Sequence, residues 1–190
     1  MVKGMISRFK FSDSVKLIRN IRTTGTIAPS SKILVQRLLA SIDFSKTNCI
    51  VELGPGNGCV TQALLERMGP DSVLLCLEVN SEFAAQLNTV EDSRLHVYNA
   101  CASSICDILD LLEIEEVDHV VSSLPLAIIE DAMVQNILSR INSNLKRGGT
   151  FLQYQYSLAN YNDMKPFFSD IKLKFTLRNM PPAFVYECLK

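Results

Sequence analysis

The 190-residue sequence has no tryptophan, only two histidines, and no stretch that approaches the roughly 20 apolar residues of a membrane-spanning helix. Its six cysteines form no CxxC pair, which argues against a zinc site or a disulfide framework. The first residues lack the apolar core of a secretory signal. These absences favour a cytoplasmic protein, and a chain of this length is most simply one domain with a substantial core.

The net charge of −1 conceals an uneven distribution of charge along the chain. Residues 1–22 carry six Lys or Arg side chains and a single acidic residue, Asp13, which gives a net charge of +5. The rest of the chain carries 13 basic and 19 acidic side chains. We therefore expect a basic arm to precede a mildly acidic body, and such an arm suits phosphate groups on nucleic acid or on lipid headgroups.

The basic arm also has the pattern of an amphipathic helix over residues 8–22. At the helical period, one face carries the apolar side chains of Phe11, Val15, Ile18 and Ile21. A helix of this kind can lie in the headgroup plane of a membrane, or its apolar stripe can pack on the rest of the protein. We divide the chain into an arm, residues 1–28, and a main domain, residues 29–190.

Strand-like and helix-like patterns alternate along the main domain. Strands are predicted at 49–53, 72–79, 94–99, 118–124 and 150–157, with helices at 59–68, 81–90, 105–113 and 130–145 between them. Two last strands, 172–179 and 183–189, flank a Pro-Pro pair and predict a hairpin. The alternation predicts an α/β fold with a single Rossmann-like, doubly wound sheet of seven strands, mostly parallel, with a C-terminal antiparallel hairpin.

Local signals mark the ends of two of these helices. Ser81 is the expected N-cap of the helix at 81–90, because its hydroxyl can accept a hydrogen bond from a free backbone N–H. The basic residues and glycines at 146–149 are expected to end the helix at 130–145. Both helices would then connect consecutive strands of the sheet.

The sequence VELGPGNG joins the first predicted strand to the helix that follows it. Gly54, Gly56 and Gly58 alternate with other residues there, and glycine lets a backbone approach a ligand without a Cβ in between. The free N–H groups at the start of the next helix add hydrogen-bond donors. Ligands of such sheets bind beyond the carboxyl ends of the strands, so we expect this turn to border a ligand site.

Two acidic residues indicate a nucleoside at this turn. Glu52 lies at the end of the first strand and Glu78 at the end of the second. A carboxylate at the position of Glu78 can accept two hydrogen bonds from the vicinal hydroxyls of a ribose. The sequence has neither the full GxGxxG of dinucleotide-binding proteins nor the Gly-Lys-Ser/Thr of a P-loop. These residues therefore indicate nucleoside binding without naming the nucleoside.

The segment VELGPGNG resembles the first motif of class I S-adenosylmethionine-dependent methyltransferases. The resemblance implies that Gly54, Gly56 and Gly58 flank the methionine part of S-adenosylmethionine. It also implies that Glu52 lies near the ammonium group of the cofactor, directly or through water. Glu78 would hold the ribose.

The ends of the third and fourth strands depart from patterns common in methyltransferases. Asn99 stands where the family commonly has an acidic residue that contacts the adenine amine, although its side-chain oxygen can still accept from that amine. Ser122, which lies within the fourth predicted strand, is included among the expected cofactor contacts. Methyltransferases of base amino groups usually continue with Asn/Asp-Pro-Pro-aromatic, whereas this chain has SSLPL at 122–126. The groups that would stack on adenine and accept from its amine are therefore missing.

Several separated segments resemble the soluble bacterial phospholipid N-methyltransferases, which methylate phosphatidylethanolamine, and their ornithine-lipid relatives. In chain order these segments are RTTGTIAPSS, VELGPGNG, VSSLPL, FLQYQYS and RNMPPAFVY. The resemblance implies an enzyme that attaches reversibly to the inner face of the cytoplasmic membrane, with the basic arm at residues 8–22 on its anionic surface. It would transfer methyl groups to the headgroup amine of a membrane lipid.

Two tyrosines are the expected contacts of that amine. Positive charge grows on the nitrogen as the methyl group arrives, and aromatic faces stabilise such a charge. Tyr156, and next Tyr154, are expected to contact the headgroup, because alternation along the fifth strand places both on one face. The other expected substrate contacts are Leu124, Pro125, Arg178 and Asn179.

Two other functions remain open on the sequence alone. The basic arm would also suit an RNA adenine N-methyltransferase, although SSLPL and the acidic body disfavour it. A catalytically inactive S-adenosylmethionine-binding protein is the third possibility, and Asn99 is the only hint of it. His96 and His119 have no nucleophile or carboxylate at a catalytic spacing, which disfavours hydrolase chemistry.

Overall fold

The computed structural model describes residues 31–176 and 182–190. Its centre is a seven-stranded sheet in the order β3-β2-β1-β4-β5-β7-β6. The strands are β1 (Cys49–Leu53), β2 (Val73–Leu77), β3 (Leu95–Tyr98), β4 (Val117–Ser122), β5 (Leu145–Gln155), β6 (Asp170–Thr176) and β7 (Ala183–Leu189). Strands β1 to β5 are parallel, and β7 is antiparallel to both β5 and β6. The predicted fold class is confirmed, while the helix predicted at residues 8–22 lies outside the described residues.

Six α-helices occur in this part of the chain. They are α1 (Lys32–Leu38), α2 (Cys59–Leu65), α3 (Ser81–Leu87), α4 (Ile105–Leu111), α5 (Asp131–Asn144) and α6 (Tyr161–Met164). Short 3-10 helices occur at Phe44–Lys46, Ala102–Ser104 and Leu126–Ile128. Within residues 31–176 and 182–190, no helix is long and apolar enough to cross a membrane.

The sheet separates two hydrophobic clusters. On one face, Val51 and Leu53 of β1 pack with side chains of α4 and α5. On the other face, Ile50 packs with side chains of α1 and α2. Because side chains alternate between the faces of a strand, a strand covered on both faces is apolar throughout. All five residues of β1 are accordingly buried.

The strand order reverses between β1 and β4. From β1 the chain runs outward to β2 and β3, and then returns to add β4 on the other side of β1. Leu53, at the end of β1, lies level with Leu77 of β2 and Ser122 of β4. The glycine turn and the segment after β4 therefore meet at the position where ligands of such sheets bind.

The carboxyl ends of β5 and β6 lie on the same edge of the sheet as the glycine turn. Both strands are antiparallel to β7 and hence parallel to each other. Gln155 of β5, Phe184 of β7 and Phe175 of β6 stand at one level near that edge. The half of the sheet that contains β5 to β7 therefore contributes residues beside the same site.

Helix α3 is capped one residue earlier than the sequence predicts. Asn80 is its N-cap, and its side-chain oxygen accepts from the backbone N–H groups of Glu82 at 2.9 Å and Phe83 at 3.3 Å. The prediction for Ser81 was wrong, since Ser81 is the first helical residue. An asparagine oxygen serves as well as a serine oxygen at an N-cap, so local sequence did not distinguish the two.

The basic and glycine residues at 146–149 belong to β5 and do not form a helix terminus. Helix α5 ends at Asn144, and β5 begins at Leu145. Lys146 forms an ion pair with Asp118 at the start of β4. The second carboxylate oxygen of Asp118 accepts from the backbone N–H groups of residues 48 and 49, at 2.7 and 2.8 Å. The ion pair with this buried carboxylate therefore stabilises residues 146–149 as part of β5.

Candidate active site

The glycine turn after β1 has a backbone that favours glycine. Gly54, Gly56 and Gly58 have φ angles of 70°, 55° and 80°, in the left-handed region. A Cβ at Gly58 would lie 2.8 Å from Leu87 of α3, and one at Gly54 would lie 3.0 Å from Leu124. Apart from its chain neighbours, no atom of the described residues lies within 4 Å of the place where a Cβ of Gly56 would stand. The turn is thus packed at both ends and open at Gly56, where a ligand can approach its backbone.

Alanine substitutions can separate the cost of the backbone conformation from the cost of the close contact. Gly58→Ala is expected to lower the free energy of unfolding by about 2 to 3 kcal/mol, because the alanine would have both a left-handed backbone and a close contact with Leu87. Gly148 has a φ of 76° but no neighbour at its Cβ position within residues 31–176 and 182–190, so Gly148→Ala should cost about 1 kcal/mol. Gly69 has neither feature, and Gly69→Ala should change the stability by less than about 0.5 kcal/mol. Urea denaturation measures all three, and equal losses at positions 58 and 148 would show that the contact with Leu87 contributes nothing.

Glu78 directly follows β2 and organises the turn. One oxygen of its buried carboxylate accepts from the backbone N–H of Gly56 at 2.9 Å. The other accepts from the backbone N–H of Asn80 at 2.8 Å. Each carboxylate oxygen can accept more than one hydrogen bond. Glu78 can therefore hold the Gly56 peptide and also accept from the hydroxyls of a ribose.

Asn99 follows β3 beside Glu78. Its side-chain nitrogen donates to the backbone carbonyl of Glu78 at 2.8 Å. This bond identifies the nitrogen as the atom that contacts the protein and leaves the side-chain oxygen as the acceptor. That oxygen is the atom that would accept from an adenine amine, and this contact stays a prediction.

Glu52 is completely buried at the end of β1. One carboxylate oxygen accepts from the hydroxyl of Thr61 at 2.7 Å and from the thiol of Cys76 at 3.4 Å. The other carboxylate oxygen has no hydrogen-bond partner among the residues described. Burial raises the pKa of Glu52 to about 7, and these two hydrogen bonds oppose the increase only in part. A cation beside the free oxygen would stabilise the ionised form, which fits the ammonium group of a methionine moiety.

The segment after β4 is held from two sides. The buried hydroxyl of Ser122 accepts from the backbone N–H of Leu124 at 3.2 Å. The side-chain nitrogen of Gln153 donates to the carbonyls of Leu124 at 2.9 Å and Tyr154 at 2.7 Å. The side chain of Leu124 lies over the glycine turn, and Pro125 is exposed. Gln153 was not among the predicted site residues, although a polar residue inside the apolar segment FLQYQY was a visible signal.

The two tyrosines form an edge-to-face pair. The ring centroids of Tyr154 and Tyr156 are 6.0 Å apart, with an angle of 75° between the rings. Tyr154 packs against the cluster on the α1 face, whereas Tyr156 lies one residue beyond the end of β5 and is exposed. The pair stands at the same edge of the sheet as the glycine turn. Arg178 and Asn179, the other predicted contacts from the end of the chain, lie outside the described residues.

Comparison with known protein families identifies the class of enzyme. A family model described as ribosomal RNA adenine dimethylase matches residues 29–147. The chain belongs to the ribosomal RNA adenine dimethylase family. It is therefore an S-adenosylmethionine-dependent methyltransferase, and the predicted cofactor is confirmed.

The curated relatives of this family member include proteins named for two kinds of substrate. The ornithine lipid N-methyltransferase of Singulisphaera acidiphila is 28% identical over 177 residues, which cover 91% of this chain and 92% of the relative. The ribosomal RNA small subunit methyltransferase A of Ureaplasma parvum is 24% identical over 146 residues, 74% of this chain and 49% of the relative. The chain thus spans about half the length of the ribosomal relative.

Solved structures share the fold. The precorrin-6y C5,15-methyltransferase of Geobacter metallireducens superposes with a TM-score of 0.67 at 14% identity, over 84% of this chain and 90% of that one. The 1,6-didemethyltoxoflavin-N1-methyltransferase of Burkholderia thailandensis, with bound S-adenosylhomocysteine, gives 0.67 at 13% identity, over 100% and 93%. At these identities the likeness concerns the fold alone.

Proposed function

We propose that this methyltransferase transfers methyl groups to the headgroup amine of a membrane lipid, such as an ornithine lipid or phosphatidylethanolamine. The observation that carries the proposal is the extent of similarity. The lipid N-methyltransferase matches this chain over nine-tenths of both proteins, whereas the ribosomal methyltransferase matches over 74% of this chain and 49% of its own length. The similarity to the lipid enzyme is therefore higher in identity and extends over more of this chain than the similarity to the ribosomal enzyme.

The segment after β4 supports an aliphatic amine as the acceptor. Ser123, Leu124, Pro125 and Leu126 offer no aromatic ring to stack on a base and no side-chain amide or carboxylate to accept from an exocyclic amine. The carbonyl of Leu124 already accepts from Gln153. A primary amine on a flexible headgroup needs neither stacking nor planar recognition.

In this reaction, the main task of the protein would be to position the acceptor amine next to the methyl group. When bound, S-adenosylmethionine supplies a methyl group already activated by the sulfonium. The headgroup ammonium must first lose a proton to solvent water, and partial burial favours this loss because it lowers the pKa of an amine. Positive charge would develop on the amine nitrogen as it accepts the methyl group. The faces of Tyr156 and Tyr154 can stabilise it there.

The arm at residues 8–22 would bring the enzyme to its substrate. We place it on the anionic inner face of the cytoplasmic membrane, where each basic side chain contributes on the order of 1 kcal/mol. Exposed apolar side chains border the candidate site at the same edge of the sheet. They are Ile128, Tyr156 and Leu158, with exposures of 50%, 37% and 46%. An apolar rim of this kind suits a lipid leaflet better than water.

Methylation of adenine in ribosomal RNA is the second candidate. The family model and the Ureaplasma relative favour it, and the basic arm would suit RNA phosphates. The segment after β4 opposes it, because residues 122–126 offer no aromatic ring to stack on adenine and no side-chain amide or carboxylate to accept from its amine.

Labelled S-adenosylmethionine distinguishes these functions. The protein is incubated with vesicles that contain an anionic lipid and either an ornithine lipid or phosphatidylethanolamine, and in parallel with total ribosomal RNA. We expect label in the lipid extract, and none with Glu78→Ala as the cofactor-binding control. Label in RNA without label in lipid would overturn the proposal in favour of the second candidate. Binding of the cofactor by calorimetry without transfer to either substrate would indicate an inactive binding protein.

A further inference from the structure

Two buried glutamines of β5 each carry a polar atom without a hydrogen-bond partner in the described part of the chain. They are the side-chain oxygen of Gln153, whose side chain is completely buried, and the side-chain nitrogen of Gln155, which is 5% exposed. Because the residues are two apart on a strand, both side chains lie on one face of the sheet, opposite to the tyrosine pair. An acceptor and a donor therefore stand unsatisfied next to each other.

The hydrogen-bond network fixes which atom of Gln153 is unsatisfied. Its side-chain nitrogen donates to two backbone carbonyls, those of Leu124 and Tyr154. A side-chain oxygen in that place could accept from neither carbonyl, so the amide has one orientation only. The unsatisfied atom of Gln153 is thus its side-chain oxygen, which can accept a hydrogen bond from a donor.

The glutamine pair lies beside the candidate active site. Gln153 stands level with Ser122 at the end of β4 and holds the segment that covers the glycine turn. Gln155 is the last residue of β5, at the edge where the methyl acceptor must enter. Buried polar atoms in native proteins nearly always have partners. One acceptor and one donor without partners lie at this edge. They therefore indicate that a bound ligand supplies a group with both a hydrogen-bond donor and an acceptor.

We propose that Gln153 and Gln155 bind the amide group of the methyl acceptor, and that the acceptor is an amide-linked amino-acid lipid such as an ornithine lipid. This inference rests on the proposed lipid methylation. An amide N–H can donate to the oxygen of Gln153 while its carbonyl accepts from the nitrogen of Gln155. The two groups point in opposite directions, which suits residues about 7 Å apart along a strand. The phosphodiester group of phosphatidylethanolamine offers acceptors only, so that lipid could pair with Gln153 only through the ammonium group that is to be methylated.

A matched pair of substrates tests the acceptor on Gln153. The amide-linked ornithine lipid is compared, in mixed micelles, with an analogue in which an ester oxygen replaces the amide nitrogen and the chains and terminal amine are unchanged. We expect the wild-type enzyme to use the amide with a kcat/KM about three- to tenfold higher, the range that one hydrogen bond gives. Equal use of the two lipids, or a preference for phosphatidylethanolamine, would overturn the inference.

A substitution tests the donor on Gln155. Gln155→Leu should raise the KM for the amide-linked lipid about three- to tenfold without changing the Kd for S-adenosylmethionine. Gln86→Leu, at an exposed position of α3, is the matched control and should change neither constant. A lower Tm of the ligand-free variant with an unchanged KM would show that an internal water satisfies the pair, and would refute the inference. If the wild-type enzyme labels no lipid at all, the proposed lipid methylation is wrong. If it labels lipid but shows no preference for the amide, only the assignment of Gln153 and Gln155 is wrong.

Discussion

Replacing Glu78 with alanine is expected to weaken the binding of S-adenosylmethionine by about 100-fold or more. The carboxylate of Glu78 is the predicted acceptor for two ribose hydroxyls, and each hydrogen bond to a charged group contributes about 1.5 to 3 kcal/mol. The same carboxylate also accepts from the backbone N–H of Gly56 and of Asn80. The substitution therefore removes both the predicted sugar contact and the observed support of the turn. Isothermal titration calorimetry with purified protein measures the loss.

Two further variants make this result specific. Glu91→Ala removes the same charge from an exposed position beyond α3 and should leave the Kd within a factor of two. Glu78→Gln retains an acceptor for Gly56 but loses the charge, so its Kd should lie between those of the wild type and Glu78→Ala. If Glu78→Ala remains folded and binds the cofactor with a Kd within threefold of wild type, Glu78 does not hold the ribose.

The ligand-free protein is expected to lose on the order of 3 kcal/mol of stability as the pH rises from about 4.5 to above 7, because of Glu52 alone. Burial raises the pKa of Glu52 from 4.5 to about 7 in the folded protein. Between these two values the folded chain binds a proton that the unfolded chain has released. The stabilising effect is therefore complete below the lower pKa and decreases as the pH rises through the upper one.

Urea denaturation at pH values from 5 to 8 measures this dependence, and Glu52→Gln removes it. A glutamine has no charge to bury, so the variant should gain stability relative to wild type as the pH rises. Glu116→Gln, at an exposed position before β4, is the control and should keep the wild-type pH profile. Parallel profiles for the wild type and Glu52→Gln would contradict an elevated pKa at Glu52.

Cofactor binding should reverse the effect of burial on Glu52. A cofactor ammonium beside the free oxygen of Glu52 would favour the carboxylate and lower its pKa. The affinity for S-adenosylmethionine is then expected to rise between pH 6 and about 7.5, with release of a proton on binding. The amine of the cofactor begins to lose its own proton above that window. Calorimetry in buffers of different ionisation enthalpy counts the released proton, and Glu52→Gln should release none.

The sequence predicts the centre of the fold because the strong signals there are local. β1 is buried on both faces, and its unbroken apolar pattern reflects that directly. The glycines after it occupy left-handed conformations that few other residues accept. The order of alternating strands and helices then leaves few topologies for a parallel sheet with right-handed connections. These features make the carboxyl edge of β1 and β2 recognisable without coordinates.

The misread positions depend on contacts between distant parts of the chain. The segment 146–149 resembles a helix terminus locally, but Lys146 pairs with Asp118, 28 residues earlier, and enters the sheet. Gln153 is a polar residue in an apolar strand, and its role appears only when the carbonyl of Leu124, 29 residues away, is placed beside it. No periodicity encodes such pairings, so Lys146 and Gln153 were harder to assign from the sequence than the glycine turn.

Two hydrogen bonds, from Asn99 to Glu78 and from Gly56 to Glu78, connect the segments that follow β3, β2 and β1. The predicted contacts of these residues concern base, sugar and amino-acid tail, and none of them depends on the methyl group. S-adenosylhomocysteine keeps all of those features after the methyl group has left. We therefore expect the spent cofactor to compete with the fresh one, so that the turnover of the enzyme follows the ratio of the two in its surroundings.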